Sequence, residues 1–310
     1  MHLLIPFACS NAPGCAEALR GLRLPNLDAL LQRLVHVDTD EAALTSLSPP
    51  HERALARLYG MQAADGCLAW AALEAQQTGR SQTDAAWAWV SPVHWNVGAH
   101  HIEMTDPAML ALDPVQSRAL LASMAPYFAE DGITLDHAAP DRWLARGAVF
   151  QGLASAALDR VVGRDIQLLM PSVPALRRLQ NEMQMLLYTH PVNDLREARG
   201  QPSVNSFWIS GTGVLPASAR TDATGNVLVG RSLRDAAVHG DWGAWAAAWV
   251  ELDRGACKRL LEALASAPHS RLTLCGERSA IEFGLVRQPL WRRLQRRWSP
   301  TNLPALQDSL

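Results

Sequence analysis

Hydrophobic and polar positions along the chain change period many times, and the changes mark its elements. His2 to Ala8 is a short apolar run, which predicts a first, buried strand. A loop holding Asn11, Pro13 and Gly14 follows, with a helix from Cys15. Pro49-Pro50 opens a helix carrying His51, Glu52, Arg53, Leu55 and Leu58, and another runs from Ala71 to Gln77. After the polar stretch Gly79 to Asp84, strands are expected at Trp87–Val90 and Ile102–Met104. Asp113 is placed to cap a helix that Pro114 opens and that runs through Met124. Further strands are expected at Ile133–Leu135 and Arg142–Gly147, a helical stretch at Leu153–Val161 and a strand at Gln167–Pro171. Pro174 to Leu187 reads as a long helix with Met183, Leu186 and Leu187 on its apolar face. A polar segment with Asn193, Arg196, Glu197 and Arg199 ends at Gly200. Val204–Ile209 then reads as a buried strand running into Ser210-Gly211-Thr212-Gly213. Beyond it lie a turn at Thr221–Asn226, a strand at Val227–Val229, a helix from Leu233 capped by Ser232, a last core strand at Arg271–Gly276 and a final helix, Pro289–Trp298.

Composition narrows the class. With 310 residues, 48% hydrophobic and 19% charged, the chain can bury a sizeable core as one large domain or two smaller ones. A net charge of -2 provides no global basic field for nucleic acid or an anionic membrane. The five cysteines (Cys9, Cys15, Cys67, Cys257, Cys275) are odd in number and lack CxxC spacing, so reduced thiols in the cytoplasm are expected. MHLLIPFA is too short and uncharged for a signal peptide, and no apolar run reaches the length of a membrane span.

Some clusters carry candidate chemistry. Eleven tryptophans are unusual beside three tyrosines; Trp242, Trp245 and Trp249 share one helical face, which suits a core stripe or a homodimer contact. His94, His100, His101, Glu103 and Asp106 are a dense group of potential metal ligands, but adjacent histidines on a strand point to opposite faces. Arg292, Arg293, Arg296 and Arg297, interleaved with Trp291 and Trp298, read as a solvated cationic face rather than a nucleic-acid surface.

The stretch HPVNDLREARGQPSVNSFWISGTG resembles the segment of archaeal-type, cofactor-independent phosphoglycerate mutases that leaves their inserted domain and re-enters the core. Those mutases belong to the alkaline-phosphatase superfamily. MHLLIPFA, PVHW, APYFAEDGITL and RWLARG resemble a proteobacterial family labelled phosphoglycerate mutase or regulatory protein E of the pathogenicity-factor cluster. Leu24–Leu31 resembles the "TPNLD.L" element after the first strand of such proteins. The resemblance implies an α/β fold, an alkaline-phosphatase-like core sheet flanked by helices with a smaller inserted α+β domain. The core would comprise 1–80 plus 200–310, and the insert 86–199.

In active mutases the first strand ends in an Asp-Gly pair whose Asp grips a metal; here that place reads Pro6-Phe7-Ala8. An Asp-His metal pair follows their last strand, where this chain has Gly276-Glu277-Arg278-Ser279. His239-Gly240-Asp241 with Glu251 and Asp253 is similar to a thinned version of another metal-binding pattern, and Cys67 stands near the place of the hydroxyl nucleophile. The expectation is a metal-depleted, non-catalytic protein that binds a ligand or protein partner in regulation, without cofactor. His190, Asn193, Arg196, Arg199, Asn205 and Ser206 would line its pocket. Arg196 and Arg199 are spaced to clasp a small phosphorylated or carboxylated ligand. The alternative is a phosphoryl-transfer enzyme with relocated ligands for a divalent metal such as manganese or zinc.

Overall fold

A computed structural model describes residues 1–80, 84–221, 227–267, 269–285 and 302–310. In chain order its strands are β1 (His2–Ile5), β2 (Val35–Glu41), β3 (Ala86–Val93), β4 (Trp95–Val97), β5 (Ile102–Met104), β6 (Thr134–Ala139), β7 (Arg142–Arg146), β8 (Ser206–Val214), β9 (Val227–Val229), β10 (Arg271–Cys275) and β11 (Ser279–Gly284). The helices are α1 (Pro13–Gly21), α2 (Pro25–Arg33), α3 (Pro50–Leu58), α4 (Trp70–Gln77), α5 (Pro114–Glu130), α6 (Leu158–Val161), α7 (Pro174–Tyr188), α8 (Pro191–Glu197), α9 (Arg234–Val238), α10 (Trp242–Leu252) and α11 (Lys258–Ala263). No described helix is long and apolar enough to cross a membrane. The turn expected at 222–226 and the basic, Trp-bearing helix expected at 289–298 lie outside the described residues.

The chain divides into two compact units. The first comprises Met1–Thr45, Pro49–Leu58 and Asp222–Leu310. Its sheet has the order β2-β11-β10-β1-β9. β1 lies at the centre of three parallel strands, with Ile5 opposite Leu274 and Leu4 opposite Val229. Leu3, Leu4 and Ile5 are fully buried, as the unbroken apolar run requires of a strand covered on both faces. β11 runs antiparallel to β10 and to β2, so Arg271–Cys275 is not the last strand. β2 is a sheet edge and carries Asp38, Asp40 and Glu41, charges that discourage edge-to-edge pairing. Arg53 of α3 pairs with Asp40 at 2.8 Å, and Arg57 with Asp38 at 3.3 Å.

Helices close over this sheet through leucines and tryptophans. Leu27, Leu30 and Leu31 of α2 are buried, as are Trp245 and Trp249 of α10. The two indoles meet edge to face with centroids 6.2 Å apart. Trp245 and Trp249 are therefore core, with Trp242 half-buried against them, and Trp245 is not available at the surface as a dimer contact. The helix α2 has no side-chain cap of its own. Asp253, in a π-helical turn after α10, supplies one by accepting from Leu27 N–H at 2.7 Å and from Asn26 Nδ2 at 2.9 Å.

The second unit comprises Ser46–Ser48 and Tyr59–Thr221. Its antiparallel sheet has the order β6-β7-β3-β8, beside a small ribbon of β4 and β5. One core gathers Trp143, Phe128, Phe150, Phe207 and the apolar face of α7, including Leu179, Met183 and Leu187. Asp113 caps α5 as its position implied, accepting from Val115 and Gln116 N–H, each at 2.8 Å. The unit boundaries differ from 1–80, 86–199 and 200–310. β8 pairs with β3 along its length, and α4 packs its alanines against Trp87 and Leu144, so both belong to the second unit. Other expectations fail locally. Gln167–Leu169 is a 3-10 turn with Leu168 exposed, only Leu158–Val161 of the 153–161 stretch is helical, and Ser232 does not cap α9.

Candidate functional site

The motif that dominates the sequence lies wholly in the second unit, between α7 and β8. His190 lies two residues past the end of α7 and begins the next helix: its Nδ1 accepts from Val192 N–H at 3.2 Å and caps α8, which leaves Nε2–H to donate to Ser123 Oγ at 2.9 Å. Burial lowers its pKa, consistent with a neutral imidazole. Asn193 donates from Nδ2 to the carbonyls of Leu187 and Val204, each at 2.7 Å, and accepts from Val204 N–H at 2.8 Å. Asn205 imitates a strand residue, its side-chain amide bonding Trp95 N–H at 2.8 Å and Trp95 O at 2.9 Å. Ser206, fully buried, starts β8 opposite Val93.

Arg196 has no solvent exposure. Its Nε donates to Pro202 O at 2.7 Å, one terminal nitrogen to Gln116 Oε1 at 2.9 Å and the other to Leu110 O at 2.6 Å. Burial pushes the guanidinium pKa down from its ordinary value. Arg199 is exposed. The two-guanidinium clasp expected of Arg196 and Arg199 is therefore not formed, because Arg196 points inward and spends its donors on α5, the preceding turn and the 200–204 loop. His190, Asn193, Arg196 and Asn205 come together as main-chain clamps.

The carboxyl ends of β1 and β10 are where an open α/β sheet offers a ligand crevice. The strands are adjacent there, with Ala8 N–H donating to Cys275 O at 2.8 Å. Phe7 takes the left-handed backbone conformation (φ 56°), its ring lies 5.5 Å from that of His51, and its carbonyl accepts from Trp245 Nε1 at 2.9 Å. Next come Ala8 and Cys9, and across from them Cys275, Gly276 and Glu277. Burial raises the pKa of both Cys9 and Cys275. Ser10 Oγ donates to Glu277 at 2.7 Å. The residues at these two strand ends do not fit the carboxylate and imidazole set of such a centre: an aromatic ring, a methyl group and two buried thiols stand where carboxylates and imidazoles would have to converge.

The other ligand candidates are dispersed. His94 donates from Nδ1 to Ser203 O at 2.7 Å, His100 and His101 are exposed, and Asp106 is buried, accepting from Ala108 N–H at 3.1 Å. His239 is exposed, with Nδ1 donating to Asp235 O at 2.7 Å. No group of three or more His, Cys, Asp or Glu among the described residues could hold a metal ion. Cys67 precedes α4 by three positions, and burial, then the nearby Asp65 charge, raises its pKa, which is the reverse of an activated thiol.

Two anchoring carboxylates escaped the sequence reading. Besides Asp253, Asp65 accepts from Leu47 N–H at 2.8 Å, Ser48 N–H at 2.9 Å and Ser46 Oγ at 2.9 Å. Burial works against this carboxylate's charge, but those bonds outweigh it and hold its pKa below the usual range. The Asp65-Gly66 turn was the available signal for it.

No protein-family model matches the chain, and no curated protein matches it in sequence. Among solved structures it is similar to the cofactor-independent phosphoglycerate mutase of Thermoplasma acidophilum DSM 1728, at 13% identity and a TM-score of 0.36, over 91% of this chain and 89% of that one. It is also similar to the PH0037 protein of Pyrococcus horikoshii, at 11% identity and a TM-score of 0.43, over 91% of this chain and 87% of that one.

Proposed function

We propose that this is a phosphoglycerate-mutase-like protein of the alkaline-phosphatase type whose metal centre has been dismantled, and that it works by binding, in a regulatory role, rather than by catalysis. The observation that carries this reading is the chemistry of the two strand ends. Phosphoryl transfer of this type needs metal-holding Asp and His residues and a hydroxyl nucleophile, because the ions offset charge on the transferring group. Phe7, Ala8 and Cys9 at one end and Cys275 and Gly276 at the other cannot supply those ligands, and Glu277 adds a single carboxylate. Phe7 adds support of a second kind. Its left-handed backbone is the conformation glycine adopts freely and phenylalanine does not, as expected if an Asp-Gly turn once ended this strand. The sequence likeness around His190–Gly213 supports the kinship, although its polar residues serve the fold.

On this reading the partner is a small phosphorylated or carboxylated molecule or another protein, met in the cytoplasm, where the five free cysteines would stay reduced. The test is elemental analysis of the purified full chain together with a phosphoglycerate mutase assay in added manganese. The proposal expects substoichiometric metal and no turnover above the blank. Stoichiometric metal with turnover would overturn it.

A further inference from the structure

Part of the chain itself packs against the carboxyl ends of β1 and β10. Leu303–Leu306 forms one helical turn, continued by a 3-10 turn over Gln307–Ser309. Leu303 and Leu310 are buried in the core of the first unit. The main-chain oxygen of Leu310 accepts from the N–H groups of both Arg278 and Ser279 at 3.1 Å, and Gln307 Nε2 donates to Ser10 O at 3.2 Å. Residue 276 is accommodated only as glycine, since a Cβ there would collide with the main chain of Leu310. The segment thus sits against both strand ends at once, and Leu303 and Leu310 share one apolar core with Cys9.

Its attachment differs in kind from that of the strands beneath it. β1 is hydrogen-bonded to a strand on either side and buried on both faces. Asn302, Pro304, Ala305, Asp308 and Ser309 are exposed, and a single helical turn has little stability of its own. Segments with few buried contacts and short helices lie at the low end of local stability.

We propose that residues 302–310 form a strap that covers the carboxyl ends of β1 and β10 and opens without unfolding the sheet, so that the strap controls access to them. The strap does not depend on whether these strand ends ever held metal.

Hydrogen exchange on the full chain tests it. The amides of 305–310, Arg278 and Ser279 should exchange through a local opening, on the order of 100-fold faster than those of Leu3–Ile5 and Leu272–Leu274. Exchange of the strap together with β1 would overturn the proposal. Thiol labelling supplies a second reading. Leu310→Asp should speed the modification of Cys9 about tenfold or more while leaving Cys257, buried beside α10 and α11, at its original rate. Unchanged labelling of Cys9 would show that the segment covers nothing. Equal acceleration of Cys9 and Cys257 would show that it is inseparable from the core. Either result overturns the strap.

Discussion

The side chain of Asn193 and the main chain of Val204 hold each other in both directions, Nδ2 donating to the carbonyl at 2.7 Å and Oδ1 accepting from the N–H at 2.8 Å. The pair stands in for a missing rung of sheet just before β8 begins, and the same Nδ2 reaches back to Leu187 O near the end of α7. Asn193→Ala would leave buried main-chain groups unpaired. A loss of about 2–4 kcal/mol is expected by urea denaturation, since each unsatisfied group costs about 1–3 kcal/mol. A loss within experimental error would contradict the clamp.

Arg196 extends the argument to charge. Its bonds to Pro202 O, Gln116 Oε1 and Leu110 O depend on a planar fork that lysine lacks. Arg196→Lys and Arg196→Ala should both destabilise the second unit, the alanine variant by about 2–5 kcal/mol, because it leaves buried neutral acceptors unpaired at about 1–3 kcal/mol each. If lysine restored full stability, the geometry assigned to the guanidinium would be wrong.

His2 makes stability depend on pH. It is buried, lies 2.8 Å from Thr273 Oγ1, and has a pKa lowered to about 4 by burial and, secondarily, by the Arg271 charge. The folded state therefore resists protonation that the unfolded chain accepts near pH 6.5. The contribution is fully present above that value and is lost as the pH falls through 4, amounting to about 3 kcal/mol at most. His2→Gln should flatten the stability profile between those limits. An unchanged slope would remove His2 as its source.

Asp253 caps α2 from a distant part of the chain, taking N–H groups from Asn26 and Leu27. Asp253→Ala should cost about 1–3 kcal/mol, the range for a lost cap with a charged acceptor. Asp253→Asn should recover part of that. Thermal denaturation of the two variants would show the ordering, and equal losses would speak against a cap.

Much of the framework was legible because period and punctuation agree. The apolar run at His2, the Asp113-Pro114 helix start and the tryptophan face of α10 all follow from local rules. β2 was missed because it is an edge strand with charged residues where a buried strand would carry apolar ones. The 167–169 turn was misread because its leucines look like a strand while the chain leaves them outside the core. The site was harder for a different reason. His190, Asn193, Arg196 and Asn205 are the residue types that bind ligands, and the same groups serve equally well to satisfy main-chain atoms. Only their partners separate the two uses, and those partners lie up to 110 residues away. The seat of Leu310 on the Gly276–Ser279 turn had no local signal, because it joins segments distant in sequence.

A dismantled metal centre, as proposed, requires that the ends of β1 and β10 hold no divalent ion. Calorimetric titration of the purified full chain with manganese and with zinc measures this most directly. The expected result is no saturable binding that Glu277→Gln or substitution of Cys9 and Cys275 weakens. A stoichiometric, tight site that one of those substitutions abolishes would place a working metal centre at the ends of β1 and β10 and contradict the account.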